Sequence, residues 1–507
     1  MRNRSVFFMA VLLLLSLSLP AYPQSGAEKT MTMMGYEAAE NNRVWEENLF
    51  FKRVQERTGL SSRFRQYSDL NEYNAQLSGM MTGDPALPDV LFKARLTPAM
   101  TIELFESGVL VDLAPYLEAH APAFYALMQG NDEIRKAVTL PGGAIAVLPY
   151  ISLVPGQNIL WINQSWLEEL KLQVPETPDG LRQVLEAFHS KDPNRNGRQD
   201  EIPLSFNGPY DLKYLAHAWG LAANDFNVFL SGNKVRFMPL EGQFRDFIRW
   251  LAESWDAGLL DQDGFTAMDS LRRQTDAKAT NHFGAFFSPL PTNLVPVEWV
   301  GQYRAMPPIA YEGRQIYRPI ASPVYTGAFA VTSACDDVAG ALEWVDTLYT
   351  QEGAVLASVG KEGEDYVVDG DGSWRLLNES ASQAYLSVSI ISTDDSAPGI
   401  SCEGFQRRFT DPTVRQLMEQ TELIAGFAVS PFPPFSLSRA EEAEIAPLQK
   451  AIGRYVDESI ARFVNGEWDA SEEQFLIFAE ELDQLGLEDF LAFWQRVYDR
   501  GLKDSGV

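Results

Sequence analysis

The sequence predicts an α/β protein of at least two packed units, with a parallel sheet covered by helices on both sides. Three observations carry that expectation. The chain has 507 residues and 56.7 kDa, more than one hydrophobic core serves well. Hydrophobic residues make up 46% and charged residues 22%, the composition of a globular protein rather than a disordered or multi-pass membrane chain. Strand-like and helix-like segments then alternate at the spacing of βαβ units.

The first segment addresses the compartment. Arg2 and Arg4 precede the apolar run 6–19, and Pro20 and the small residues Ser25, Gly26 and Ala27 follow. A charged start, a run short for a membrane span and a small-residue exit describe a secretory signal peptide over residues 1–27. No Cys lies near that exit to carry a lipid, so a periplasmic protein without an anchor is expected. Cys335 and Cys402 could pair in an oxidising compartment or stay as thiols, and their spacing does not decide between the two.

Residues 30–36 read as a short strand, followed by a helix over 42–59 carrying Val44, Leu49, Phe50, Phe51 and Val54. A strand at 63–67, a helix at 70–81 and a strand at 89–92 continue the alternation. Gly142 and Gly143 make a turn between two strand-like pieces, the second at 144–149. Pro149, Pro155 and Gly156 then interrupt the chain and mark a crossing into a second unit. That unit opens with a strand at 158–162 and a helix at 166–172. A helix at 180–189 follows, capped by Thr177 or Asp179. Further on come a helix at 250–258, an apolar strand at 282–287 and a Pro-rich return passage with Pro289, Pro291 and Pro296. Residues 335–351 are expected to be helical. From Arg439 onward, Glu, Ala, Leu and Phe recur at helical spacing.

The net charge of −28, from 41 Lys and Arg against 69 Asp and Glu, excludes a surface that tracks nucleic-acid phosphates and disfavours an anionic membrane face. It leaves room for one small basic pocket. Catalytic signatures are sparse. The four His (His120, His189, His217, His282) form no zinc-protease pattern, and there is no nucleophile elbow, phosphate loop or dinucleotide fingerprint.

One segment has metal-site spacing. Residues 192–201 read DPNRNGRQDE, which puts Asp192, Asn194, Asn196 and Asp200 at loop positions 1, 3, 5 and 9, with Gly197 at the sharp turn. Arg198 would offer its backbone carbonyl. Hard oxygens in that order suit Ca2+. Pro203 occupies the position of the usual bidentate Glu, and Glu201 is the substitute. The similar-looking Asp369-Gly370-Asp371-Gly372 reads instead as a hairpin turn between strands at 366–368 and 374–376. Aromatic residues make up 12% of the chain, with 11 Trp and 18 Tyr, many near strand ends, where flat rings can stack on sugar faces.

These residues carry a family resemblance. The leader, the segment ILWINQSWLEELKLQVPET (159–177) and the loop DPNRNGRQDEIP (192–203) resemble extracellular solute-binding proteins of ABC importers, in the large oligosaccharide-binding subgroup that includes the alginate-binding proteins. ESGVLVDLAPYL (106–117), GKEGEDYVVDGDG (360–372), PFPPFSLS (431–438) and YVDESIARFVNGEW (455–468) agree with it. The resemblance implies a periplasmic binding protein fold of two α/β lobes joined by hinge segments, with a monomer closing on a sugar or oligosaccharide and docking on ABC permease membrane subunits. It implies a structural Ca2+ held by Asp192, Asn194, Asn196, Arg198, Asp200 and Glu201. The expected lobe boundaries are 28–153 and 289–345 for the first lobe, and 154–288 and 346–507 for the second. Ligand at the carboxyl ends of strands nominates Tyr36, Arg95, Tyr150 and Asn207 as contacts. Trp219, Phe287, Tyr325 and Phe432 are aromatic candidates near other strand ends or crossings; Tyr150 and Phe432 fall in segments where the family places contacts. A secreted polysaccharide-processing enzyme and a sugar sensor on the same fold stay open as alternatives.

Overall fold

The computed structural model describes residues 29–83, 86–154, 156–266, 281–320, 322–377, 387–391 and 396–504; the expected signal peptide lies outside them. Its strands are β1 (Thr30–Tyr36), β2 (Ser61–Tyr67), β3 (Val90–Phe92), β4 (Leu148–Ile151), β5 (Ile159–Asn163), β6 (Ile202–Ser205) and β7 (Val228–Ser231). They continue with β8 (Lys234–Phe237), β9 (Phe283–Ser288), β10 (Tyr303–Ala305), β11 (Val324–Val331), β12 (Tyr366–Val368), β13 (Trp374–Leu376) and β14 (Gly399–Ile400).

Two larger sheets hold ten of them, while β7–β8 and β12–β13 form separate two-stranded pairs. The first has the order β14-β4-β11-β3-β1-β2, the second β10-β5-β9-β6. In the first, β1 pairs in parallel with β2 and β3, while β11 runs antiparallel to β3 and β4. The first sheet is therefore parallel except for β11, whose register shifts between Tyr325 and Phe329. In the second, β5 runs against both β9 and β10, and β6 runs parallel to β9. Each sheet has its own core. Trp45, Phe92, Phe124 and Trp344 are buried around the first, and Trp161, Phe188, Phe247, Ile460 and Val497 around the second.

Local chemistry places most elements where the sequence put them and moves a few. The first helix begins at Leu49 rather than at 42, because the Asn48 side chain accepts the Phe50 N–H and two short 3₁₀ turns fill 39–47. The expected second-unit helix at 180–189 runs Pro178–Ser190, with Thr177 as its cap. The helix expected at 250–258 starts eight residues earlier, as Gly242–Asp256. The helical stretch 335–351 divides into Val338–Asp346, a 3₁₀ turn and Gln351–Ser358, since Asp337 and Thr350 each cap a new start. Residues 144–147 form no strand.

The division between the two units also differs from the expected boundaries. The Pro-rich passage after β9 makes a 3₁₀ turn at Pro291–Asn293 and stays on the second sheet, because β10 still pairs with β5. The chain returns to the first sheet only at β11. Residues 338–359, the β12–β13 hairpin and Phe405 then pack in the first core, so the last departure falls after 405 rather than at 346. The hairpin itself closes at Asp369–Ser373 as the DGDG turn predicted, with the Asp369 N–H donating to the Ser373 carbonyl at 2.7 Å. Helices Arg439–Val464, Glu472–Gln484 and Leu487–Asp504 complete the second core.

Two positions require glycine. A Cβ on Gly35 would sit 1.7 Å from the Phe92 carbonyl oxygen, where β1 crowds the end of β3. Gly327 has φ +75° and a Cβ there would lie 2.0 Å from the Leu96 carbonyl oxygen. Gly35→Ala is expected to destabilise the native state by about 3 kcal/mol, since β1 must move off β3 to admit the methyl group; urea unfolding with unchanged m-value would show it.

His217 gives a pH signature. The ring is buried, one nitrogen meets the Tyr214 carbonyl at 2.7 Å, and burial depresses its pKa from 6.5 to about 4. Below pH 6.5 the unfolded chain takes a proton that the native ring refuses, so this group removes stability as pH falls. The loss between pH 7 and 4.5 is about 2.5 kcal/mol. Urea titrations at both pH values should show a smaller loss in His217→Asn than in the wild type.

Candidate functional site

Three segments join the two units, and they are bonded to one another. Residues 152–158 lead from β4 to β5, residues 306–323 lead from β10 to β11, and the third departs after β14. The Ser152 N–H donates to the Pro323 carbonyl and the Ile320 N–H to the Gly156 carbonyl, both at 2.8 Å. The Leu153 N–H donates to Ser401 Oγ at 2.7 Å, which ties in the third. Because β4 and β14 run parallel to β1, β2 and β3, the crossings leave from the carboxyl edge of the first sheet. They reach the second sheet where β5 begins and β6, β9 and β10 end. The two carboxyl edges are thus the edges turned toward the hinge, the position at which open α/β sheets bind ligands.

Four of the nominated residues stand along the first of these edges. Tyr36 ends β1 opposite Tyr67 at the end of β2, and the Arg95 guanidinium lies 5.5 Å over the Tyr36 ring. Tyr150 and Tyr325 are register partners on β4 and β11, with ring centroids 6.1 Å apart. All four Tyr are half-buried. On the second edge, Asn207 is exposed and precedes the short helix Gly208–Lys213; its side chain caps nothing, and its N–H donates to Asp211 Oδ2 at 2.7 Å. The other three nominations belong to the core. Trp219 packs on Phe247 and Trp250, Phe287 is buried in β9, and Phe432 packs on Trp494 and Tyr498. Neither β9 nor the 3₁₀ turn of Trp219 turns those rings outward.

The carboxyl edge of the first sheet rests on a buried ionic cluster. Glu37, 1% exposed, accepts from Lys93 Nζ at 2.9 Å, Trp45 Nε1 at 3.0 Å, Asn41 Nδ2 at 2.6 Å and an Arg43 guanidinium nitrogen at 3.3 Å. A carboxylate so placed is tolerable only with its oxygens saturated. Lys93 and Arg95 adopt left-handed φ values of +50° and +49°, unusual for side chains of this size. The strain is held by flanking bonds, Ala94 N–H to Ala328 O and Leu96 N–H to Gly327 O, each 3.0 Å. Across the hinge, Tyr210 is exposed beside Tyr214, and Arg318 lies 4.1 Å over the Tyr214 ring while pairing with Asp225 at 2.9 Å.

At the hinge end is a cavity of about 590 Å³. Val154 and Leu290 come from the crossing side, Trp374 from the hairpin, Phe409 from the third connection, and Leu417 and Met418 from the helix Pro412–Ala425. Gln406, Thr292 and the Arg407–Glu422 ion pair (2.7 Å) add polar groups. Its size suits a ligand of several sugar rings, and its mixture of flat apolar surface with a few polar groups is that of a ligand site. None of the eight nominated contacts lines it. The sequence signal was the stripe Val414, Leu417, Met418 and Thr421 at helical spacing, which ordinary core packing would also produce.

The 192–201 loop is coiled on itself at the end of the helix Pro178–Ser190. Asp192 accepts from the N–H groups of Asn196 (3.0 Å) and Gly197 (2.9 Å), Asn194 from Asn196 N–H (3.0 Å), and Asn196 from Arg198 N–H (2.7 Å). Asn196 Nδ2 donates to Asp200 at 2.8 Å, and Gly197 takes φ +77° at the turn. Among the described residues, no three His, Cys, Asp or Glu side chains gather into a cluster that could hold a metal. A cation here would draw instead on a mixed set of carboxylate, amide and carbonyl oxygens. Glu201 is the telling member: among the described residues its two buried carboxylate oxygens have no side-chain partner, and only the backbone N–H groups of Asp200 and Glu201 itself act on them. Its burial, with Asp192 and Asp200 nearby, raises its pKa above the usual range. Buried carboxylate oxygens of this kind, with the amide and carbonyl oxygens of the loop, are the donors a hard cation takes.

No family model matches the chain. Among curated proteins it is similar to FusA of Streptococcus pneumoniae serotype 4, a fructooligosaccharide ABC transporter substrate-binding protein, at 25% identity over 93% of this chain and 90% of that one. A solved structure of FusA, an EF-hand mutant in complex with fructo-nystose, has a TM-score of 0.65 at 22% identity, covering 93% and 99% of the two chains. An extracellular solute-binding protein from Bifidobacterium longum subsp. infantis superposes with TM-score 0.74 and 19% identity, covering 94% and 98%. The alginate-binding protein AlgQ2, solved without calcium ion, has TM-score 0.61 and 21% identity, covering 93% and 98%. In fold, and in sequence over nearly its whole described length, this chain is similar to the sugar-binding solute-binding proteins of ABC transporters, as its motifs implied.

Proposed function

We propose that this chain is the substrate-binding component of an ABC importer, exported to the periplasm, which captures an oligosaccharide between its two units and delivers it to membrane permease subunits. The observation that carries the reading is the cavity of about 590 Å³ at the hinge, walled by residues of both units and of the segments that join them. A ligand there touches both walls only when the units are closed, so it favours the closed state by the difference in contact. Trp374 and Phe409 offer ring surface to sugar faces, and Gln406, Thr292, Arg407 and Glu422 offer donors and acceptors to hydroxyls. No residue of this site is assigned a chemical step; it binds and releases.

The 192–201 loop is proposed as a structural Ca2+ site, with Asp192, Asn194, Asn196, Asp200 and Glu201 supplying side-chain oxygens and Arg198 its carbonyl. The ion would neutralise three carboxylates and fasten the end of the helix Pro178–Ser190 to β6. It would be remote in role from ligand capture.

Two outcomes test these assignments. Thermal-shift screening against oligosaccharides should identify ligands that raise Tm, and small-angle scattering with those ligands should record a smaller radius of gyration with no product formed. Turnover of a saccharide without contraction would support the enzymatic alternative. For the loop, Asp192→Ala should lower stability by about 3 kcal/mol at Ca2+ a hundredfold above its Kd, and leave stability in chelator nearly unchanged. Equal losses in both conditions would remove the metal from the account.

A further inference from the structure

We infer that the captured oligosaccharide is anionic, and that Arg95 receives its carboxylate or sulfate group; this rests on the reading above and names the chemical class of the ligand. The chain carries 69 acidic against 41 basic residues, so an exposed arginine finds a carboxylate easily. Two arginines around the hinge have done so: Arg318 pairs with Asp225 at 2.9 Å and Arg407 with Glu422 at 2.7 Å, while Arg408 lies 4.8 Å over the Phe405 ring. Arg95 has not. Among the described residues its guanidinium has one partner, the Tyr36 ring at 5.5 Å, which satisfies none of its five N–H donors.

The backbone that carries it is held rather than loose. Its φ of +49° disfavours any residue larger than Gly or Asn, and the bonds of Ala94 and Leu96 to β11 fix the segment in place. The Tyr73 hydroxyl adds a bond to the Ala94 carbonyl at 2.8 Å. A bulky cation kept in a strained conformation, with its planar group laid on an aromatic face and its donor edges open, is arranged to receive a planar anion. The helix Pro98–Glu106 begins three residues later, and its N-terminus adds positive potential. Position agrees as well. Arg95 follows β3, two strand spacings along the edge from β4, about 10 Å. An oligosaccharide with one end in the hinge cavity passes Tyr150 and Tyr325 before reaching it.

The test is calorimetric titration of the full mature chain with matched tetrasaccharide panels of uronic acids, sulfated sugars and neutral sugars. Arg95→Asn is the informative variant, because Asn tolerates the left-handed backbone and should leave Tm unchanged. The expected result is binding of an acidic panel member that weakens at least tenfold in Arg95→Asn and weakens with added salt. The uronic and sulfated panels distinguish the two sources of the anion. Tight binding of a neutral tetrasaccharide, with acidic ones rejected or Arg95→Asn without effect, overturns this inference and leaves the importer reading intact. Absence of binding to every panel member overturns the importer reading itself, and this inference with it.

Discussion

The direction in which β4 runs decides the layout of this molecule. It lies parallel to its neighbours across β11, so it must leave the first sheet at the carboxyl edge, next to where β11 comes in. The chain then enters the second sheet through β5, the strand that opposes β9 and β10. Both sheets therefore turn the same kind of edge toward the junction, and side chains just beyond strand ends become the walls of a cleft. Had β4 been antiparallel to β3, the crossing would have left from the far edge, and Tyr36, Arg95 and Tyr150 would face away from the second unit. The hydrogen bonds among the three crossings make the junction a ribbon, which suits bending more than dissociation.

Polar residues at the junction fall into two groups by their energetics. Glu37, Lys93, Arg43 and Trp45 form a buried cluster whose members hold one another in place. Removing one charge from such a cluster leaves another dehydrated and uncompensated, so its contribution is specificity of arrangement rather than net stability. It sets the end of β1 and the sharp path after β3. Arg95, Tyr67 and Tyr210 stand on that platform and on its counterpart across the hinge, with surface left over. Rigid support below and incomplete satisfaction above is the usual division of labour in a binding site. The same contrast appears in the 192–201 loop, where Asx-type bonds hold the backbone while, among the described residues, the buried oxygens of Glu201 have no side-chain partner.

Motifs whose meaning is local were legible in the sequence. The DGDG hairpin and the cap at Thr177 depend on residues within one or two turns of each other. The aromatic nominations fared unevenly for a definable reason. Tyr36, Tyr150 and Tyr325 stand half-buried along the carboxyl edge of the first sheet, a position that follows from where their strands end or begin. Phe287 is buried within β9, and Trp219 and Phe432 are covered by helices from elsewhere in the chain: Gly242–Asp256 over Trp219 and Leu487–Asp504 over Phe432. No spacing rule distinguishes a ring that will be covered from one that will not.

Sequence by itself determined the α/β class, the strand–helix alternation of the first unit and the resemblance to ABC-importer binding proteins. The class and the alternation follow from periodicity and short-range spacing, which act over a few residues; the resemblance is carried by particular segments such as 159–177 and 192–203. Tertiary structure alone decided that β10 stays on the second sheet, that residues 338–359, the β12–β13 hairpin and Phe405 return to the first core, and that Trp374, Phe409 and the helix Pro412–Ala425 enclose a cavity. It alone left Arg95 over the Tyr36 ring and, among the described residues, without a carboxylate partner. Those outcomes depend on contacts between residues far apart in the chain, where burial of apolar surface and pairing of charge are settled by whatever else arrives at the same place.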